Sequence, residues 1–345
     1  MKDRGRRRFL QWGLGGALAG LAGRGGPALA ADQLPEGKMP MRALGRTGVQ
    51  VSLVGLGGYH IGQAPDEKTA TRIIRAAIDH GINFMDNCWD YNDGKSHLWM
   101  GRALRDGYRR RVFLMTKIDG RTRKAAADQI DQSLRALGTD VIDLLQVHEV
   151  IRASDPGRVF GRDGAIEALV AARQAGKIRF IGFTGHKSPV IHLGMLRAAA
   201  SHGFTFDTVQ MPINVMDAHH DSFERQVIPV ATRDGVAVLA MKPLGSGLFL
   251  RSGPLVAGAI SPTDCLRYAM GSPASVVITG CESMRDLAQA LDAAYGFQTP
   301  TDSQRKALLG RAAQAGGGGQ WEKYKVSEMF DGTTRNPGWL ETAKL

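Results

Sequence analysis

From Met41 onward the chain alternates between two rhythms of apolar and polar positions. Short, nearly unbroken apolar runs come at Val54–Gly57, Ile82–Asp86, Val112–Thr116, Val141–His148, Ile178–Phe183, Phe206–Met211, Val236–Met241 and Ser275–Thr279. Strands buried on both faces of a parallel sheet need this pattern, because neither face meets water. Between the runs lie longer stretches with apolar residues three and four apart. Ala70, Ile73, Ile74, Ala77 and Ile78 form one such stripe, and Met284, Leu287, Ala288 and Leu291 form the last. Each stripe predicts a helix that buries one face. Ser283, three residues before Asp286, predicts an N-terminal cap for the last helix. Eight strands alternating with seven or eight helices, with no gap long enough for a second domain, predict an α/β fold of the (β/α)8 TIM-barrel type. An open doubly wound sheet is the alternative, but no G-x-G-x-x-G follows the first strand.

The first thirty residues follow neither rhythm. Lys2, Arg4, Arg6, Arg7, Arg8 and Arg24 stand against Asp3 alone, the run from Phe9 to Ala22 is rich in Gly, Ala and Leu, and Ala28-Leu29-Ala30 precedes Ala31. A basic start, a short apolar run and a small-residue exit are the plan of an export signal. Arg6-Arg7-Arg8-Phe9-Leu10 resembles the twin-arginine motif of the bacterial Tat route. A basic start for the general secretory route is the blander reading; the weak hydrophobicity and Arg24 favour Tat. Residues 1–30 are therefore expected to be a Tat-type signal removed near Ala30, leaving 31–345 as a periplasmic barrel. If the signal is unused the expected place is the cytoplasm. The Tat machinery is then a partner. The apolar run is too short for a transmembrane anchor, which needs about 20 apolar residues.

Composition changes this picture little. The chain has 345 residues, 43% of them hydrophobic, enough to exclude a mostly disordered polymer. Close to half of the formal charge of +11 lies in the leader, so it speaks of export and not of nucleic acid. Cys88, Cys265 and Cys281 make no disulfide framework, and no C-x-x-C pair marks a metal site. His219-His220 reads as a polar loop, so no metal is expected.

In a barrel of this kind, chemistry belongs to the C-terminal ends of the strands. There the sequence sets Asp86 after the second strand, Tyr91 in the loop beyond it, Lys117 after the third and His148 after the fourth. Singly, each has a bland use, as helix cap, loop anchor, solvated end or satisfied histidine. Four at equivalent heights from three neighbouring strands point to one site. Hydride arrival at a carbonyl carbon leaves an alkoxide, so a proton has to reach the oxygen. Tyr91 is the expected acid, with Lys117 expected to lower its pKa from about 10, Asp86 to orient Lys117, and His148 to fix the carbonyl oxygen.

These residues resemble the aldo-keto reductase superfamily over nearly the whole chain after the leader. Arg42 to Gly57 is similar to the family's N-terminal hairpin, which plugs the barrel floor. Asp86, Tyr91, Gly94, Ser96 and Gly101 match its D-T-A-x-x-Y-G…G-x-S-E…G signature, with His97 in place of the usual Glu, and Gly176 to Gly182 matches another family segment. The resemblance implies a nicotinamide cofactor across the rim, NADP by preference with NAD possible. Gln210 and the segment Thr184-Gly185-His186 would meet its carboxamide, though the common pattern has Ser-Asn where this chain has Thr184-Gly185. Met241 would cover the ring where many members have an aromatic residue. Phosphate contacts would come from Lys242, Leu244 and Ser246, and from Gly280, Cys281 and Ser283 at a helix start, with Arg285 near a 2′-phosphate. The substrate is expected to be a small carbonyl compound facing Tyr59, Trp89 and the loop from Glu149 to Arg162. Thr301–Ala315 predicts an amphipathic helix, and the tail beyond Gly319, with Trp321, Tyr324 and Trp339, is a lid over the rim or a staple on the barrel. A redox-neutral enzyme with a retained nicotinamide, or a nicotinamide-binding regulatory protein, are the alternative functions.

Overall fold

The computed structural model describes residues 34–251, 260–315 and 317–342. The expected leader lies outside these residues. A two-stranded antiparallel hairpin comes first, β1 (Met41–Ala43) and β2 (Gln50–Ser52). Eight parallel strands follow, β3 (Val54–Gly57), β4 (Phe84–Asp86), β5 (Phe113–Ile118), β6 (Ile142–Val147), β7 (Ile178–Thr184), β8 (Thr208–Pro212), β9 (Ala237–Met241) and β10 (Val276–Gly280). They pair in chain order, and β10 closes on β3, so the described residues form the expected barrel.

Two apolar cores build it. Inside, Leu44 and Val51 of the hairpin pack with Phe84, Phe113, Ala237 and Val276 from the starts of four strands. The hairpin thus plugs the N-terminal end, and the opposite rim is left for chemistry. Outside, the helices press apolar stripes onto the strands. Helix Glu67–Asp79 buries all five expected positions. Helix Met284–Tyr295 buries Leu287 and Leu291 but adds Ala290, Ala293 and Ala294, leaving Ala288 half-buried, so its stripe is wider than the spacing suggested. Its Ser283 cap is a full capping box with Asp286. Ser283→Ala is expected to lower stability by about 1 kcal/mol, read from the urea unfolding midpoint.

Beyond the barrel, helix Asp302–Gln314 carries a second capping box, from Thr301 and Gln304. Residues 317–342 then cross the C-terminal rim. Glu149, just after β6, accepts hydrogen bonds at 2.7 Å from the backbone N–H of Gly332 and of Thr333 and from the Thr333 hydroxyl. Asp331 meets Nε2 of His186 at 3.0 Å and Nζ of Lys187 at 2.7 Å, both after β7. Lys325 is buried between Asp217 at 2.8 Å and Glu322 at 2.9 Å. Trp339 packs edge-on against Trp89 with ring centres 5.7 Å apart. The tail is both the lid and the staple, because the same polar contacts cover the rim and fasten the chain end.

Candidate active site

The residues at the end of β4 meet those of β5 because the two strands run in register, with Phe84 opposite Phe113 and Asp86 opposite Met115. Lys117, two positions further along β5, is thereby carried beside the segment that follows Asp86. Its side chain is 1% exposed. Its ammonium donates to Oδ1 of Asp86, to the carbonyl of Asn87 at 2.8 Å and to Oη of Tyr91 at 3.3 Å. The other oxygen of Asp86 accepts from Nε2 of Gln210, at 3.1 Å, from the middle of β8. His148, directly after β6, stands across from Tyr91 with ring centres 6.0 Å apart and nearly perpendicular planes. The four residues expected at one rim are together.

The electrostatics differ from the expectation in one respect. Lys117 was expected to lower the Tyr91 phenol. Burial instead drives it well above its usual value, and the negative charges of Asp86, of the Cys88 thiolate form, of Asp90 and of Glu149 add to that. Burial and the Asp86 charge outweigh the Lys117 ammonium. Asp90 itself is raised to about 6 by burial and by Asp119, with His148 acting against them. For His148, burial pushes downward but is outweighed by the charge of Asp119 and its hydrogen bond, then by Asp90 and Glu149, so the imidazole is held above the ordinary histidine value.

The surroundings contain residues that sequence reasoning missed. Asp119 is fully buried two positions beyond Lys117 and accepts from Nδ1 of His148 at 3.0 Å. Trp89 was expected at the pocket mouth; it is 2% exposed, and its indole N–H goes to the other oxygen of Asp119 at 2.6 Å. A lone aromatic in a loop carries no directional signal. His97, in the place of the signature glutamate, bonds through Nε2 to the Thr116 hydroxyl at 2.6 Å, and burial drives it down to about 3, so it is neutral. Tyr59 does face the mouth, 47% exposed and edge-on to Tyr91. Cys88 is a buried free thiol within 3.3 Å of Nδ1 of His148.

The residues assigned to a dinucleotide divide into two groups. Oε1 of Gln210 is buried with no hydrogen-bond partner among the described residues, an acceptor suited to the N–H2 of a carboxamide. Thr184 Oγ1 at the end of β7 and Met241 Sδ at the end of β9 lie 4.0 Å apart, on either side of β8. Gly185 has no side chain to offer. This central group fits a nicotinamide. The phosphate group fits less well. At the helix start the N–H groups of Glu282 and Ser283 both donate to Asp286, at 3.0 Å each, so a carboxylate already fills the anion position. Glu282 also pairs with Nδ1 of His60 at 2.6 Å, next to Gly280. Cys281 is buried and Arg285 exposed. Lys242 stands over the rings of Tyr324 and Phe330, 5.4 and 5.3 Å from their centres, and burial lowers it to about 8. Leu244 is half-buried, and Ser246 lies in a tight turn at φ 57°.

The profile of the Aldo/keto reductase family matches residues 53–294. Over 225 residues the chain is 31% identical to Aldo-keto reductase YhdN of Bacillus subtilis, covering 61% of this chain and 63% of that one. Over 238 residues it is 30% identical to L-galactose dehydrogenase of Arabidopsis thaliana, covering 63% and 69%. The chain thus spans just under two thirds of the length of the first of these relatives. The holo form of aldo-keto reductase AKR11C1 from Bacillus halodurans superimposes with a TM-score of 0.68 at 24% identity, over 82% of this chain and 99% of that one.

Proposed function

The chain belongs to the aldo/keto reductase family, and from that premise we propose that it is a nicotinamide-dependent oxidoreductase that reduces an aldehyde, ketone or sugar-like carbonyl to the alcohol. The observation that carries this reading is the Lys117 ammonium bonded at once to Asp86 and to the Tyr91 phenol on the barrel rim. A bound nicotinamide supplies the hydride. Tyr91 gives its proton to the carbonyl oxygen as that oxygen gains charge. Asp86 and the Asn87 carbonyl hold Lys117 so that the ammonium stays directed at the phenol. His148 fixes the oxygen by a hydrogen bond, which sets the carbonyl face. Gln210 and Thr184 would hold the carboxamide, and Met241 would cover the ring with a polarisable thioether. The test is consumption of NADPH or NADH with a panel of aldehydes and ketones; no consumption with any of them would overturn the reading.

The resemblance implied NADP, but Glu282 and Asp286 place two carboxylates at the helix start expected to meet a phosphate. Like charges there oppose a 2′-phosphate. NADH is therefore expected to bind at least as tightly as NADPH, as measured by fluorescence titration of each.

The tail supports a second reading, in which the nicotinamide is retained and one substrate is oxidised and then re-reduced. Its hydrogen bonds to Glu149 and ion pairs through Asp331 lie across the rim that a cofactor has to pass. Cofactor that survives dialysis of the purified protein separates this reading from an ordinary reductase. Export by the Tat route, with the cofactor carried in the folded protein, completes the proposal. Fractionation of cells with and without a working Tat system tests it; an equal periplasmic share in both would remove it. A purely regulatory nicotinamide-binding role is opposed by the assembled Asp86, Tyr91, Lys117 and His148.

A further inference from the structure

Asp119 is held more tightly than a loop carboxylate needs to be. Its Oδ1 takes Nδ1 of His148 at 3.0 Å and its Oδ2 takes the indole N–H of Trp89 at 2.6 Å. An indole nitrogen only donates, so Oδ2 is an acceptor, and the carboxylate is turned so that Oδ1 meets the imidazole. The backbone on both sides is fixed by one buried side chain. The Arg121 guanidinium donates to the carbonyls of Asp119 at 2.7 Å, His148 at 2.7 Å and Glu149 at 3.0 Å, and to Asp155 at 2.9 Å. Arg121 is 1% exposed. Five donors in a planar fork can bind four acceptors from three chain segments in one geometry.

With Nδ1 committed to Asp119, Nε2 is the ring nitrogen left over, and among the described residues it has no protein partner. The ring edge that carries it is the remaining polar face of a side chain 12% exposed beside Tyr91. We propose that Asp119 is a positioning residue that keeps His148 charged and in one orientation, so that Nε2–H gives a charged hydrogen bond to the substrate oxygen beside the Tyr91 phenol. This rests on the reductase reading above. In balance, the C=O π pair moves to oxygen as hydride adds to carbon, the proton that completes the alcohol comes from Tyr91, and the His148 proton stays on nitrogen throughout. A charged donor placed where negative charge develops is worth more than a neutral one.

The charged and titratable groups around the imidazole are Asp119 from the end of β5, Cys88, Asp90 and Tyr91 from the segment after β4, Glu149 next in the chain, and Lys117 within β5. Of these, Asp119 is the carboxylate bonded to Nδ1 at 3.0 Å, the Cys88 sulfur lies 3.3 Å from the same nitrogen, and the nearest oxygen of Asp90 is 4.0 Å away. The raised His148 pKa agrees with the arrangement and supplies a sign. The charged form exists below that pKa, so turnover is expected to fall as pH rises through it. Removing the Asp119 charge moves this limb to lower pH.

The test is nitrogen NMR of the histidine rings in the full-length protein, with His148 assigned by the loss of its signal in His148→Gln. Wild-type His148 is expected to titrate above the usual value of about 6.5. In Asp119→Asn the midpoint is expected to drop by about one pH unit or more, and the limb of kcat against pH to move with it. Trp89→Phe takes the indole donor from Oδ2 and leaves the carboxylate charged and more basic, so the midpoint is expected to hold or rise, a result of opposite sign that keeps the question answerable if Asp119→Asn folds poorly. An unmoved midpoint in Asp119→Asn, or a fall in Trp89→Phe, would overturn the dyad. A wild-type protein that reduces no carbonyl would overturn the reductase reading, and the NMR titration still decides the dyad.

Discussion

Tyr91→Phe is expected to lower carbonyl reduction by about 10²–10⁴-fold while leaving nicotinamide binding unchanged. The substitution removes one oxygen and keeps the ring, whose edge contacts with Tyr59 and His148 hold the loop in place. Lys117 keeps its bonds to Asp86 and to the Asn87 carbonyl, so its charge is not stranded. Single-turnover reduction and a separate cofactor titration measure the two quantities. A wild-type rate in the variant would remove Tyr91 as the acid. Burial and the neighbouring carboxylates hold the phenol far above neutrality, so Tyr91 is expected to contribute no limb to the pH profile of reduction between pH 6 and 9. The limb expected from His148 lies above the ordinary histidine value.

The largest expected effect on stability comes from the tail. Lys325→Met removes the cation shared by Asp217 and Glu322 and leaves two carboxylates facing each other, where all three side chains are at most 1% exposed. Breaking a buried pair from one side costs about 3–5 kcal/mol, because the charge left behind has no water to turn to. Asp217 also accepts from the backbone N–H of Phe223 at 3.0 Å and of Glu224 at 3.0 Å, so the damage is expected to reach the loop after β8. Urea unfolding gives the value. Lys124→Met is the control: its pair with Asp128 is one helical turn away and exposed, and its loss is expected to cost about 0.5 kcal/mol or less. A similar small loss for Lys325→Met would show that the tail is not anchored through this group.

Much of the fold was legible because burial on both faces leaves a nearly unbroken apolar run. All eight barrel strands lie on such runs, and the helix Glu67–Asp79 buries the stripe its spacing defines. The rim residues Asp86, Tyr91, Lys117 and His148 were legible from their place at strand ends. Their supports were not. Asp119 and Arg121 are charged residues in a connection, where charge ordinarily means solvent, and only the pairing of β5 with β6, Ile118 opposite Val147, brings position 119 to position 148. Lys325 and Glu322 are a second such pair of charges, buried against the loop after β8 more than a hundred residues away in the chain. The signal present in the sequence was local: Lys117-Ile118-Asp119 and Arg121 crowd three charges directly behind an apolar strand. The helix start at Ser283 failed in the opposite direction. The cap was read correctly, but the N–H groups it satisfies are then no longer open to phosphate.

Gly185 restricts which sequences can follow this one. A Cβ there would stand 2.3 Å from the carbonyl oxygen of Val150 and 2.9 Å from Cε1 of His192. The first of these is backbone and cannot swing aside. An asparagine therefore cannot be introduced here by one substitution without moving the backbone, because any side chain collides before it reaches the rim. The loop after β6 would have to shift first, and that loop is tied to the tail through Glu149. A side chain at 185 is therefore expected to be tolerated only together with a moved loop, which leaves Thr184 and Gln210 as the positions where this pocket can be changed one residue at a time.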